Sequence, residues 1–288
     1  MAAFVFPGQG SQSRGMGREL FDIREYRAVE SEVDSLVGYP LRRLCLEDPD
    51  NLLKQTQYTQ PSLYVVNSLH VFKAVIDGAR PTHVAGHSLG EYNALAAAGV
   101  FDFMTGLRLV RKRGELMAQA RDGGMGAVIG LDRDRIAAVL HESSLGGVDI
   151  ANFNSPTQTV ISGPVTEIAR AGRLLEQAGA RMYIPLPVSA AFHSRYMREC
   201  ADRFAEFLRP FSFAAPKIPV ISNVTAEPYP ADSESIKSLL VRQITQSVEW
   251  TRSIRWLLAH GVTDIREIGP GSVLTRLVQQ IRQDSAES

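Results

Sequence analysis

Ser88 lies in a glycine frame that is typical of nucleophilic serines. It is the central residue of GHSLG, residues 86–90, between an apolar stretch at 82–85 that predicts a strand and a stretch at 91–98 that predicts a helix. On such a turn the hydroxyl projects from the sheet edge beside a helix N-terminus, which favours negative charge. The pattern predicts a nucleophile elbow. The alternative is a glycine-flanked turn without a catalytic role.

A serine that attacks an acyl group also needs two backbone N–H groups to hold the developing oxyanion. Residues 2–6 predict a buried strand, and the glycine-rich turn PGQGSQ, residues 7–12, follows it directly. Such turns are common at sheet edges, so this one gains meaning only from its pairing with the GHSLG turn. We expect the N–H groups of Gln9 and Leu89 to form the oxyanion hole.

The serine further requires a base, and His193 is the strongest of the six histidines. It follows a predicted strand at 182–186, in a segment of small residues where a loop is a natural place for a catalytic group. A structural histidine is the alternative. With a reference pKa of about 6.5, a neutral base at this position predicts that activity falls at acid pH. Structural or solvent roles are expected for four of the others: His70, His83, His141 and His260. His87 is next to Ser88 and is expected to point elsewhere on the turn.

Arg113 is predicted to point inward from a helix at residues 101–118. Its neighbours three and four positions away are all apolar, namely Leu109, Val110, Leu116 and Met117. A buried guanidinium needs an anionic partner. The sequence leaves two partners open, a structural carboxylate or the carboxylate of a ligand.

The order of predicted elements changes between residues 124 and 190. The elements there are a strand at 125–131, a helix at 133–141, strands at 148–153 and 157–162, a helix at 165–178 and a strand at 182–186. This βαββαβ order is that of a ferredoxin-like unit. We therefore predict an α/β fold: a large α/β-hydrolase-like domain, residues 1–123 and 191–288, carries a ferredoxin-like subdomain, residues 124–190. The substrate is expected in the cleft between them.

Composition argues against several functional classes. Lys and Arg together number 31, as do Asp and Glu, so the formal charge is zero and neither a nucleic-acid nor a membrane partner is expected. No apolar run approaches the roughly 18 residues of a spanning helix, and the first residues lack the pattern of a secretory signal. Cys45 and Cys200 have no metal-ligand spacing and predict free thiols. We expect a cytoplasmic monomer without a metal.

Together these residues resemble the malonyl-CoA:acyl carrier protein transacylase family and the related acyltransferase domains of polyketide synthases. The resemblance covers nearly the whole chain, in order and spacing. Its motifs are FPGQGSQ at 6–12, GHSLGEY at 86–92, RG at 113–114, NFNSP at 152–156, VISG at 160–163, AFHS at 191–194, PVISNV at 219–224 and GPG at 269–271.

The resemblance implies a role for each candidate residue. Ser88 would be the nucleophile, His193 the base, and Arg113 the clamp for the free carboxylate of the acyl group. The backbone N–H groups of Gln9 and Leu89 would form the oxyanion hole.

Four further residues take roles by the same resemblance. The main-chain carbonyl of Gln243 would orient the histidine, and His87, Asn154 and Phe192 would line the substrate site. The motif containing Phe192 resembles the Ala-Phe-His form associated with malonyl selection, rather than the Ala-Ser-His form associated with methylmalonyl. Packing alone is the alternative role of Phe192.

The implied activity moves a malonyl unit from CoA to the phosphopantetheine thiol of an acyl carrier protein through an acyl-serine. No bound cofactor is implied, and the phosphopantetheine belongs to the partner. Residues 188–191, VSAA, look closest to discrete acyltransferases that serve modular polyketide synthases in trans. Two alternatives stay open: a hydrolase that clears misloaded carrier proteins, and a catalytically silent protein that binds carrier proteins.

Overall fold

Two β-sheets and the helices around them form residues 1–287, the part of the chain that the computed structural model describes. The strands are β1 Ala2–Phe6, β2 His83–Gly86, β3 Gly123–Ile129, β4 Asp149–Ser155, β5 Gln158–Pro164, β6 Met182–Pro185, β7 Val220–Ile221 and β8 Asp264–Glu267. The helices are α1 Arg24–Arg27, α2 Glu30–Val37, α3 Leu41–Glu47, α4 Thr56–Ile76, α5 Gly90–Ala97, α6 Phe103–Met117, α7 Arg133–Glu142, α8 Val165–Gln177, α9 Arg198–Leu208, α10 Ser233–Thr245, α11 Trp250–Ala259 and α12 Val273–Glu287.

The first sheet is parallel, with the strand order β7-β2-β1-β8. Strands β1, β2 and β7 are largely buried because helices cover both faces, whereas the edge strand β8, with the sequence DIRE, is only partly buried. Phe4 and Phe6 pack into the larger core on one side of β1, and Ala3 and Val5 pack into a second core on the other side. Phe6 pairs with Gly86, so β1 and β2 end side by side. The two turns predicted to form the oxyanion hole therefore start at the same sheet edge.

The second sheet is antiparallel, with the order β4-β5-β3-β6. The elements follow the predicted βαββαβ order, and α7 and α8 bury their apolar residues against one face. Strand β3 starts earlier than predicted, at Gly123, because both glycines of the pair 123–124 bond to β5. The α/β fold with a ferredoxin-like unit is thus confirmed, while the domain limits at 124 and 190 stay predictions.

Helix α6 is observed at Phe103–Met117 and begins where the Asp102 side chain accepts a hydrogen bond from the N–H of Thr105 (2.6 Å). Cys45 and Cys200 are free and buried, as predicted. Among residues 1–287, none of the helices combines the length and apolar character needed to cross a membrane. Within the same range, no cluster of three or more His, Cys, Asp or Glu side chains is arranged to hold a metal ion.

Candidate active site

The turn between β2 and α5 holds Ser88 in a backbone conformation that few residues adopt. Its φ is +50°, in the left-handed region. The flanking glycines are required by close contact: a Cβ on Gly86 would lie 2.0 Å from the carbonyl of Gly90, and one on Gly90 would lie 2.1 Å from the carbonyl oxygen of Phe6. This is the geometry of the predicted elbow, in which backbone strain exposes the serine hydroxyl.

Asn223, which follows β7, fixes the backbone of this turn. Its Oδ1 accepts a hydrogen bond from the N–H of Ser88 (2.7 Å), and its Nδ2 donates to the carbonyl of Gly86 (2.6 Å). Asn223 is fully buried. Both groups of the amide are therefore used to hold the strained turn in place.

Ser88 and His193 form a hydrogen-bonded dyad. Ser88 Oγ lies 2.8 Å from His193 Nε2, and His193 Nδ1 lies 2.8 Å from the carbonyl oxygen of Gln243 on α10. A carbonyl oxygen only accepts, so Nδ1 carries the proton and Nε2 is free to accept the serine proton. The main-chain carbonyl of Gln243 thus lies where the predicted orienting group should be.

The loop after β6 aims His193 at the serine. His193 has a φ of +55°, and the hydroxyl of the following Ser194 donates to the carbonyl of Ala191 (2.5 Å). His193 is 4% exposed. Burial, followed by the positive charge of Arg113, lowers the pKa of His193 to about 3. The sequence-based expectation that activity falls near pH 6.5 used the pKa of a solvated histidine. In this buried environment His193 takes up a proton only at a much lower pH.

We predict that the His193 imidazole stays neutral between pH 8 and about pH 5. Its pKa is depressed, so protonation begins only as the pH approaches about 3. A ¹⁵N NMR titration of the ring nitrogens should show an unprotonated Nε2 from pH 8 down to pH 5. A protonation midpoint near 6.5 would instead show that the ring is solvated.

The predicted oxyanion donors lie together. A Cβ on Gly8 would lie 2.4 Å from the carbonyl oxygen of His87, so the turn after β1 packs directly on the elbow. Gln9 and Leu89 both line the cavity that contains Ser88. Over residues 1–287, neither of their N–H groups donates to a protein acceptor. Two free amides beside a nucleophile suit a developing oxyanion.

Arg113 lies behind the nucleophile and is 1% exposed. Its Nη1 donates to Gln60 Oε1 (2.8 Å), and its Nη2 donates to Ser88 Oγ (3.1 Å) and Gln243 Oε1 (3.0 Å). Nε is buried without an acceptor, and no ion pair of Arg113 occurs in the described residues. Of the two partners that the sequence left open, a direct structural carboxylate is not found among the described residues, and Arg113 lines the same cavity as Ser88, where the carboxylate of a ligand would meet it.

A cavity of about 330 Å³ joins these groups. One wall is apolar and comes largely from the second sheet, with Met125, Val160 and Ile184. The predicted substrate-site residues all line it: His87, Asn154 and Phe192. His87 Nε2 lies 2.8 Å from Asn154 Oδ1, so these two polar groups are paired at the cavity wall.

Glu91 is a charged residue of this site to which the sequence analysis gave no role. It lies in the first turn of α5 and is fully buried. Oε1 accepts from the N–H of Asn223 (2.6 Å), and Oε2 accepts from Gln243 Nε2. Burial raises the pKa of Glu91 to about 7.

Gln60 on α4 was missed as well. Its Nε2 contacts the sulfur of Met117 (3.3 Å) while its Oε1 accepts from Arg113. A helix with twelve buried residues gives no sequence signal that one amide meets a functional arginine. Asn223 and Glu91 lie within quoted motifs, and their partners could not be inferred from spacing.

Comparisons with known proteins agree with the geometry. A family model described as "Acyl transferase domain" matches residues 3–288. The polyketide biosynthesis malonyl CoA-acyl carrier protein transacylase PksC of Bacillus subtilis (strain 168) is 52% identical over 287 residues, which cover 99% of this chain and 98% of PksC.

Solved structures show the same similarity. A malonyl CoA-acyl carrier protein transacylase from Burkholderia pseudomallei has a TM-score of 0.93 at 48% identity and covers 98% of both chains. A malonyl-transacylase solved in complex with its type II polyketide synthase acyl-carrier protein also has a TM-score of 0.93, at 38% identity, over 98% of this chain and 93% of that one. With its full-length match and shared fold, this chain belongs to the acyl transferase domain family.

Proposed function

We propose that this chain is a malonyl-CoA:acyl carrier protein S-acyltransferase. The observation that carries the proposal is a buried guanidinium 3.1 Å from the hydroxyl of a Ser–His dyad. Arg113 fixes a positive charge beside Ser88, where it would meet the free carboxylate of a malonyl group on that serine. Full-length relatives named as malonyl transacylases, at 52% identity in PksC, support this substrate.

In the first half-reaction, Ser88 attacks the thioester carbonyl of malonyl-CoA while its proton passes to His193 Nε2. The tetrahedral oxyanion lies between the N–H groups of Gln9 and Leu89. Collapse breaks the carbon–sulfur bond, and His193 returns the proton to the leaving thiolate of CoA. The product is a malonyl ester on Ser88.

In the second half-reaction, the phosphopantetheine thiol of a carrier protein gives its proton to the neutral His193, and the thiolate attacks the ester. The carbon–oxygen bond breaks, and Ser88 regains its proton from the imidazole. In both half-reactions the nucleophile, the base and the oxyanion donors come from this chain. The phosphopantetheine thiol comes from the carrier protein. A cytoplasmic location is part of this proposal.

The two alternatives receive less support from the site. A hydrolase for misloaded acyl groups has no need of a carboxylate clamp, yet Arg113 lies beside Ser88 in the same cavity. A silent binding protein has no need of a strained serine bonded to a histidine.

We predict that Phe192→Ser relaxes selection for malonyl over methylmalonyl. Phe192 lines the cavity beside His193, and a smaller residue leaves room for an α-methyl group. One methyl group discriminates by about 1–3 kcal/mol, so the ratio of the two kcat/KM values should shift by about 5- to 150-fold. Competition between the two CoA thioesters measures this ratio. An unchanged ratio would assign Phe192 to packing alone.

The function is tested by incubating the protein with labelled malonyl-CoA, with and without a holo-carrier protein. We expect label to move to the carrier protein, with slow release of free malonate in its absence. Carrier proteins from a polyketide synthase and from fatty-acid synthesis should both be used, because the polyketide role rests on relatives such as PksC. Rapid hydrolysis that the carrier protein does not suppress would favour the hydrolase.

A further inference from the structure

The side chain of Gln243 lies between two buried charges. Its Oε1 accepts from Arg113 Nη2 (3.0 Å), and its Nε2 donates to Glu91 Oε2 and to the main-chain carbonyl of Ser88 (2.8 Å). Glu91 and Gln243 are both fully buried. The same residue presents its main-chain carbonyl to His193 Nδ1.

The charges at either end fix the orientation of this amide. A guanidinium only donates hydrogen bonds, and a carboxylate only accepts them. If the amide of Gln243 were flipped, its NH₂ group would face Arg113 and its oxygen would face Glu91. Glu91 and Arg113 therefore permit one arrangement of Gln243.

We propose that Glu91 is a positioning residue that acts through Gln243. Glu91 holds the side-chain amide of Gln243, which accepts a hydrogen bond from Arg113. By fixing this residue, it also fixes the main-chain carbonyl of Gln243 that orients His193. It also supplies the negative charge that balances Arg113 without bonding to it. The proposal rests on malonyl transfer as the function of this site.

The separation between the two charges is the important feature. A carboxylate paired directly with Arg113 would occupy the donors that a substrate carboxylate needs. No charge at all would leave a buried guanidinium uncompensated before substrate arrives, which is strongly unfavourable. With one amide between them, Arg113 keeps a counter-charge nearby without being held in a direct ion pair with it.

The ionised form of Glu91 is the one that fits this network. Each of its oxygens accepts an N–H, from Asn223 or from Gln243, and a carboxylate accepts these hydrogen bonds more strongly than a protonated carboxyl group. The titratable groups that interact with Glu91 are Arg113 on α6, Tyr92 on α5 and Tyr229 after β7. Burial raises the pKa of both tyrosines, so they remain neutral.

The test is the pH profile of Ser88 acylation by malonyl-CoA in Glu91→Gln, measured by rapid quench and intact mass. The wild-type rate should fall as the pH drops through about 7, where Glu91 takes up a proton. Glu91→Gln keeps the size and removes the charge. At pH 8 we expect it to be about 10- to 100-fold slower, because displaced catalytic groups cost about that much. Its profile should be flat across pH 7.

Two variants accompany this measurement. Glu91→Asp retains the charge and should keep a limb near pH 7 with an intermediate rate, which keeps the proposal testable if Glu91→Gln fails to fold. Glu115→Gln removes a carboxylate from the same helix as Arg113, where Glu115 pairs with Arg111 at the surface (2.8 Å), and should match the wild type.

Folded Glu91→Gln with the wild-type rate at pH 8 would overturn the proposal, as would a limb near pH 7 that persists in this variant. If the acylation rates of the wild type and of Glu91→Asp do not fall as the pH drops through 7, the proposal is overturned too. If the wild type forms no malonyl-enzyme, the proposed function itself fails, and that outcome is read before any variant is compared.

Discussion

Arg113→Ala is expected to lose malonyl transfer while retaining acetyl transfer. The malonyl carboxylate would lose a buried, charge-assisted partner that an acetyl group never contacts. Such a partner is worth about 2–5 kcal/mol, so kcat/KM for malonyl-CoA should fall by about 30- to 5,000-fold. Acetyl-CoA should keep its activity or gain, and parallel assays with the two thioesters measure the ratio.

Matched variants separate this effect from a loss of folding. Arg113 is buried, so Ala leaves a cavity, whereas Arg113→Met fills most of the space without the charge. Both should show the same inverted preference. Arg113→Lys should recover only part of the malonyl activity, because an ammonium cannot reproduce the planar fork. If malonyl and acetyl activities fall in equal proportion in folded variants, Arg113 has a structural role.

Ser88→Ala is expected to abolish the acyl-enzyme, and His193→Ala to slow its formation by about 10²- to 10⁴-fold. The two side chains are joined by a 2.8 Å hydrogen bond, and His193 carries its only proton towards Gln243, away from the serine. Single-turnover mass spectrometry with malonyl-CoA measures both effects. Circular dichroism provides the control for folding.

Different results would contradict the roles of Ser88 and His193. A malonyl adduct that persists on Ser88→Ala would remove this serine from the mechanism. An unimpaired acylation rate in His193→Ala would show that another group takes the serine proton.

The fold and the positions of the candidate site residues could be predicted because their signals are local. The strand, the glycine frame around Ser88 and the following helix are adjacent in the sequence, and the inward direction of Arg113 follows from residues three and four positions away. The βαββαβ order was likewise readable from neighbouring segments. Only the ends of these elements differ from the prediction. Strand β3, for example, begins at Gly123 because Gly123 and Gly124 pair with β5, although glycine is not a residue that predicts a strand.

The supporting groups could not be predicted because their contacts are distant in sequence. Asn223 and Gln243 bond to Glu91 across 132 and 152 residues, and only the fold brings them together. The depressed pKa of His193 has the same origin, since burial and Arg113 on another element produce it. A motif predicts a candidate for the reacting residue, whereas the tertiary structure determines the protonation state of the groups around it.

The most direct test of the account is to map the covalent intermediate and then chase it. The protein is mixed with malonyl-CoA, the modified peptide is located by mass spectrometry, and holo-carrier protein is added to the remainder. We expect a malonyl group on Ser88 that disappears as malonyl-carrier protein forms. A malonyl group on any other residue, or an adduct on Ser88 that the carrier thiol does not remove, would contradict it.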